Sequence, residues 1–265
     1  MPINSPVLVL TATINPKGMI DLKLHDIDQR RSQYLQALRF WLHLHDDQVR
    51  SIVFAENSGS DLTSFQNIVD SENPHGKSVE LISLNQNDFP RQLGKGYGEF
   101  MLLDSVLQQS KALATAEHFI KITGRLVVTN LPKMIRCLPA RYDLVCDAFL
   151  VSSDPNGGRI DSRLMFVSRS FYERAVLGAF HRMNDSVGIF AEHVFFELMQ
   201  EQRDTALFTR LPIEPRWRGV SGSTGADYTG TPSRIKWPLK AGRRMWHRLV
   251  GYPSIDSIRA ARRKA

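Results

Sequence analysis

The chain has 265 residues, of which 42% are hydrophobic and 23% charged, the balance of an ordinary globular protein long enough for one large core plus an appendage. No apolar run approaches the ~20 residues that span a bilayer. Two cysteines, Cys137 and Cys146, are too few for a disulfide framework or a thiolate metal site, so a reducing cytoplasm is the expected compartment. The net charge of +7 is uneven: residues 210–265 hold 13 Lys and Arg against 3 Asp and Glu, which points the tail toward an acidic surface.

In chain order, VLVLTAT (7–13) reads as a first strand, and the residues before it lack the basic n-region of a signal peptide. SIVFAEN (51–57) is a second strand. Between them, RRSQYLQALRFWLHLH places Tyr34, Leu38, Trp41 and Leu42 on one helical stripe. VELISLN (79–85) is a third strand, GEFMLLDSVLQQSKAL (98–113) a second amphipathic helix, and FIKITGRLVV (119–128) a fourth strand region. DLVCDAFLVS (143–152) follows, then a loop over 153–168 and two helices, RSFYERAVLGAFHRM and SVGIFAEHVFFELMQEQ. The β-α-β-β-α-β order predicts an α/β fold with a mostly parallel central sheet. Residues 1–209 read as the catalytic domain. Residues 210–265 read as a Gly/Ser/Thr-rich linker and a basic amphipathic C-terminal segment.

Polar clusters fall at the ends of the predicted strands, where an α/β sheet places its ligands. They are Thr11 and Thr13; Glu56, Asn57 and Asp61; Lys121, Thr123 and Arg125; Asp161 with Arg163; and Asp185 with Glu192 and His193. If FIKITGR is one extended strand, Lys121, Thr123 and Arg125 leave the same face, which suggests an anion held at a sheet edge. Gly96 and Gly98 precede a helix and can bring backbone N–H groups to a phosphate. The P-loop, the nucleophile elbow and H-E-x-x-H are absent. His43, His45, Asp46 and Asp47 read as a solvated helix end.

In order along residues 7–200, LTATI, Arg30-x-x-x-Tyr34, FAENSGSDL, GKGYGE, FIKITGR, IDSRLMF and NDSVGIFAEH resemble bacterial surface-polysaccharide glycosyltransferases of GT-A-like type. These enzymes build lipopolysaccharide, O-antigen or capsule from nucleotide-sugar donors. The resemblance implies donor contacts at Thr11, Thr13, Arg30, Asn57, Gly96, Gly98, Lys121, Thr123, Arg125 and Arg163, with Asp185 and His193 on the acceptor side. It also implies a glycan or lipid-linked acceptor.

Such enzymes carry Asp-x-Asp at the end of the fourth strand to hold a divalent ion, and KITGR stands there instead. The expectation is therefore that no metal is required, although Mg or Mn remains compatible, and that Lys121 and Arg125 stabilise the departing diphosphate. For inversion, Glu192 is the first choice of general base, since it shares a helical stripe with Phe195, Phe196 and Met199. Asp161 is the second choice, and a retaining reaction would need neither.

From Trp237 to Tyr252, Arg243, Arg244, His247 and Arg248 alternate with Leu239, Met245, Trp246, Leu249 and Val250. This pattern suits the headgroup boundary of an anionic leaflet and predicts a peripheral location on the inner face of the plasma membrane. The alternative is a helix packed on the body with a solvated basic face. Two other functions compete with transfer: a non-enzymatic nucleic-acid binder using the tail, disfavoured because recognition signatures are missing, and a glycan hydrolase using Asp161 and Glu192 as a carboxylate pair.

Overall fold

The computed structural model describes residues 5–19, 22–150, 157–222, 225–230, 237–242 and 244. Its centre is a seven-stranded sheet. Strands β1 (Val7–Ala12), β2 (Ser51–Glu56), β3 (Ser78–Ser83) and β4 (His118–Thr123) are joined in parallel in the order β4-β1-β2-β3. β5 (Val127–Val128) follows outside that sheet. β6 (Leu144–Val145), β7 (Ala148–Leu150), β8 (Gly158–Ile160), β9 (Leu164–Ser168), β10 (Phe208–Thr209) and β11 (Trp217–Arg218) complete the strands. β9 runs antiparallel between β4 and β6, and β10 pairs parallel with β6. The sheet is thus mixed and mostly parallel, as the sequence predicts.

β1, β2 and β4 read as continuous apolar runs because both faces of the sheet are covered. On one face Leu8, Leu10, Ile52, Phe54, Ile120 and Ile122 pack with Tyr34, Leu38, Trp41 and Leu42 of α1 (Ile27–His43) and Phe65 of α2 (Thr63–Ser71). On the other, Val7, Val9, Val53 and Phe119 pack with Phe100 of α3 (Gly94–Gln109) and Phe195 of a later helix. α1 starts at Asp26, whose carboxylate accepts the Gln29 N–H at 2.6 Å, an N-cap that satisfies a donor the helix leaves open. Short helices α4 (Lys111–Ala114), α5 (Leu131–Arg136) and α6 (Arg169–Phe171) precede α7 (Ala191–Glu201).

The helix expected over 169–183 is broken. After α6 the chain makes a π turn over Tyr172–Val176, reverses at Gly178 with φ of 81°, and continues as a 3-10 turn over Ala179–Arg182. Asp104 on α3 accepts the Tyr172 hydroxyl at 2.6 Å and the Gly178 N–H at 2.7 Å, which ties both sides of the break to α3. Part of the loop expected at 153–168 is strand, with β8 antiparallel to β7.

Several described residues beyond 209 contact the body. Leu211 is buried in the core, β11 pairs antiparallel with β5, and Tyr228 and Gly222 lie against body residues Arg163 and Arg125. Residues 237–242 and 244 are helical and held by Arg244, which reaches Asp147 at 2.5 Å and Glu214 at 2.6 Å. Trp237 donates to Glu214 O at 3.4 Å. Trp237 and Arg244, expected on a membrane face, are therefore turned onto the body. The rest of the amphipathic segment, Arg243 and Met245 to Tyr252, lies outside the described residues.

Candidate active site

Chain direction sets where a ligand goes. β1 leads through α1 to β2 and β3 on one side, while β4 returns to the other side of β1. The carboxyl ends of β1 and β4 lie side by side, with Thr11 paired to Thr123, and ligands of open α/β sheets bind at strand ends where the strand order reverses. A cleft of about 450 Å³ lies there, bounded by Thr11, Thr13, Thr123 and Arg125 at the strand ends. Arg30, Asn57, Gly96, Gly98, Arg163, Asp185 and Glu192 also face it, so residues spread from position 11 to 192 converge.

Within β4 the alternation holds, since Lys121 and Thr123 both reach Glu99 Oε1, at 2.7 and 3.4 Å, but it does not extend to Arg125. β4 ends at Thr123, and the Leu126 N–H bonds Thr123 O at 2.8 Å, turning the chain at Gly124–Arg125. Arg125 therefore leaves the strand register and swings toward the α1 side, its guanidinium 6.0 Å from the Tyr34 ring. Lys121 points to the α3 side instead, 5.3 Å over the Phe100 ring and 0% exposed. Its ammonium lies 2.7 Å from Glu99 Oε1 and donates to Ser162 O at 2.7 Å. A buried lysine so engaged is an ion-pair partner, not a phosphate ligand. Nor is β4 at a sheet edge; it lies between β1 and β9.

Glu99 is the centre of this arrangement. Its Oε1 also accepts the Thr11 hydroxyl at 2.6 Å. Burial alone would push its pKa up, but the Lys121 charge and these hydrogen bonds outweigh burial and hold it below the usual carboxylate range. The same Lys121 fixes Ser162, whose hydroxyl donates to Glu192 Oε1 at 2.9 Å. Glu192 sits in the first turn of α7 with Phe195, Phe196 and Met199 buried behind it, so its carboxylate is aimed at the cleft while its stripe is core.

Asp161 forks Arg163 with contacts of 2.8 and 2.5 Å. Arg163 also donates to the Tyr228 hydroxyl at 2.7 Å. Burial opposes the charge on Asp161, yet the Arg163 bonds hold its pKa below the usual range. Asp161 is therefore a positioning group for Arg163 and does not itself line the cleft. His193 lies outside the cleft too, packed with Nδ1 3.0 Å from Gly188 O. Asp185 is brought to the cleft at the start of α3, its carboxyl occupying the space a side chain on Gly94 would need, where the helix dipole favours an anion. Gly96 and Gly98 are small for packing reasons: a Cβ would meet Ala191 at 2.8 Å or the Phe89 ring at 2.6 Å.

The cationic wall is Arg30 and Arg125. Arg30 donates to Thr13 O at 2.8 and 2.5 Å, Leu24 O at 3.2 Å and Tyr34 Oη at 3.3 Å. Its acceptors are neutral, and burial followed by the Arg125 charge lowers its pKa from the ordinary value. Arg125 has Nε and Nη1 buried with no hydrogen-bond partner. It makes no ion pair among the described residues. Asn57 likewise leaves Oδ1 buried and unpartnered while Nδ2 donates to Gly98 O at 3.3 Å. Glu56, at the same strand end, is structural: its carboxylate accepts the Ile14, Ser58 and Ser60 N–H groups at 2.9, 2.9 and 3.1 Å.

Glu99, Ser162 and Tyr228 also line the cleft, and the strand-end pattern does not single them out. Lys121 inside an apolar strand demands a carboxylate, which was a signal for Glu99. Nothing in the sequence brings Tyr228 back to Arg163, 65 residues earlier. Carboxylates facing the cleft are Glu99, Asp185 and Glu192, and Glu99 is already bound to Lys121. Among the described residues no group of three or more His, Cys, Asp or Glu side chains is arranged to hold a metal. The donor set does not form a cage for the divalent ion of GT-A-like enzymes.

No protein-family model and no curated protein matches the chain. Among solved structures, the inositol-1-phosphate CTP transferase from T. maritima is 11% identical, with a TM-score of 0.47 over 89% of this chain and 97% of its own. The apo-form glycosyltransferase GlyE of Streptococcus pneumoniae TIGR4 is 10% identical, with a TM-score of 0.45 over 78% of this chain and 45% of its own. The galactosyltransferase LgtC, in complex with donor and acceptor sugar analogues, is 9% identical, with a TM-score of 0.44 over 72% and 70%. These proteins transfer nucleotides or sugars. No helix among the described residues is long and apolar enough to cross a membrane.

Proposed function

We propose that the cleft is the donor site of a nucleotide-sugar-dependent glycosyltransferase of GT-A-like type, acting in bacterial surface-polysaccharide synthesis. Arg125 carries the reading. Two of its guanidinium nitrogens are buried without an acceptor, an arrangement that costs about 1–3 kcal/mol per unsatisfied group until an anion fills it. A diphosphate supplies acceptors for both, and the charge of Arg30, which makes no ion pair among the described residues, adds to the field. Thr11, Thr13, Asn57, Gly96, Gly98, Thr123 and Arg163 would frame the nucleoside and sugar. The Asn57 Oδ1 would accept from a donor group on the ligand.

As the sugar–phosphate bond breaks, negative charge grows on the nucleoside diphosphate. Arg125, already oriented against Tyr34, stabilises it without reorganising. Glu192 takes the proton from the attacking acceptor hydroxyl, and Ser162 holds its carboxylate toward the cleft. Lys121 serves by neutralising Glu99. No step is routed through a metal ion. The acceptor is a glycan or lipid-linked glycan, with the basic C-terminal segment keeping the enzyme at the cytoplasmic face of an anionic membrane. Thermal-shift measurement with UDP-, GDP-, CMP- and dTDP-sugars tests the reading: one nucleotide should stabilise the protein selectively, and Arg125→Ala should abolish the shift. No response to any of them would refute it. Full loss of transfer on EDTA treatment would refute its metal-independent form.

A further inference from the structure

Arg163 is a wall between two hollows. One side faces the cleft; the other faces a second cavity of about 920 Å³ between β11 and the C-terminal helical residues. Tyr228 belongs to both. The second cavity is lined by Trp217, Tyr228 and Trp237 and by Arg216, Arg218 and Lys240. Guanidinium groups and rings stack alternately: Arg163 lies 4.8 Å from Trp217 and 5.3 Å from Tyr228, and Arg216 lies 4.0 Å from Trp237. The one carboxylate among the described lining residues, Glu214, is consumed by Arg244. Arg216, Arg218 and Lys240 make no ion pair among the described residues. The hollow therefore combines aromatic faces with uncompensated positive charge.

We infer that this second hollow is a binding subsite for an acidic glycan, one whose sugar rings lie against Trp217, Tyr228 and Trp237 while a carboxylate or phosphate meets Arg216 and Arg218. Aromatic side chains offer an apolar face with a polar tip, which suits sugar rings. A cavity of this size holds more than one ring. Guanidinium groups pair with carboxylate or phosphate in fixed geometry. The inference rests on the transferase reading for its meaning as the acceptor side. It stands apart from it in its test, because the residues differ.

Isothermal titration of the full chain with three probes decides it: a hyaluronan tetrasaccharide, glucose 1-phosphate and neutral maltotetraose. At least one anionic probe should saturate, about tenfold more tightly than maltotetraose, and its identity separates carboxylate from phosphate recognition. Trp237→Ala should abolish that binding, and Arg218→Gln, at an exposed position, should reduce it to the neutral level even if the tryptophan variant fails to fold. Arg125→Gln should leave it unchanged while removing nucleotide binding. Equal binding of neutral and anionic probes, no saturation by any probe, wild-type binding in Arg218→Gln, or loss in Arg125→Gln would each overturn it. Failure of the nucleotide panel alone would not.

Discussion

Lys121 Nζ and Glu99 Oε1 meet 2.7 Å apart beneath the cleft, with the lysine wholly enclosed. This pair decides how the neighbouring groups behave. It removes Lys121 from the ligand's reach, fixes Ser162 through its carbonyl, and through Ser162 steadies Glu192. It leaves Arg125, with Arg30, Lys95 and Arg163, among the cations that line the cleft.

Lys121→Met should be costly, because it strands Glu99 without its counter-charge. Breaking one side of a buried pair typically costs about 3–5 kcal/mol. Lys121→Met with Glu99→Leu should recover a large part of that loss. Urea unfolding of the two singles and the double measures the coupling.

Acid should act through the same pair. Glu99 has a folded-state pKa below its unfolded value, so its contribution is complete above the unfolded value of about 4.3. It is lost as pH falls through the lowered folded value. Urea midpoints taken from pH 7 to pH 3 should fall more steeply below about pH 4.3 in the wild type than in the Lys121→Met/Glu99→Leu double variant.

Gly222→Ala is a test of Arg125 made without touching it. A Cβ at Gly222 would lie 2.0 Å from Arg125 Nη2, so the guanidinium must move. The end of a side chain can shift at little cost to the fold, but not to its aim. Affinity for whichever nucleotide the thermal-shift panel selects should fall about tenfold or more by calorimetry, with a change in Tm of only a few degrees.

Glu192→Gln should lower turnover by about 10²–10⁴-fold, the usual contribution of a general base, and leave nucleotide affinity nearly intact. Ser162→Ala, which only frees the carboxylate to rotate, should cost far less. Equal losses in both variants would show that orientation, and not proton transfer, dominates at this position.

Arg244→Ala should release the C-terminal helical residues. It leaves Asp147 and Glu214, each about one-tenth exposed, without their shared partner. A loss of about 3–5 kcal/mol is expected, with faster tryptic cleavage between residues 230 and 245. If vesicle flotation on anionic lipid rises in this variant, the segment binds membrane only when undocked from the body.

Several features were legible because they are local. The apolar runs 7–12 and 51–56, the α1 stripe of Tyr34, Leu38, Trp41 and Leu42, and the alternation of strands and helices follow from periodicities a single segment carries. They predict an α/β sheet covered on both faces, and strand-end positions for Thr11, Asn57 and Thr123. The broken helix at 172–182 was not legible, since its hydrogen bonds run to Asp104, some seventy residues away.

The sequence by itself determined the layered α/β architecture, the crevice at the carboxyl ends of the strands, and some of the polar side chains that line it. Tertiary structure alone decided the roles of those side chains. FIKITGR shows why: strand spacing treats Lys121 and Arg125 as equivalents, but a turn after Thr123 sends one to Glu99 and the other to the cleft. Which carboxylate a buried cation finds depends on elements brought together across the chain, and no local period records that.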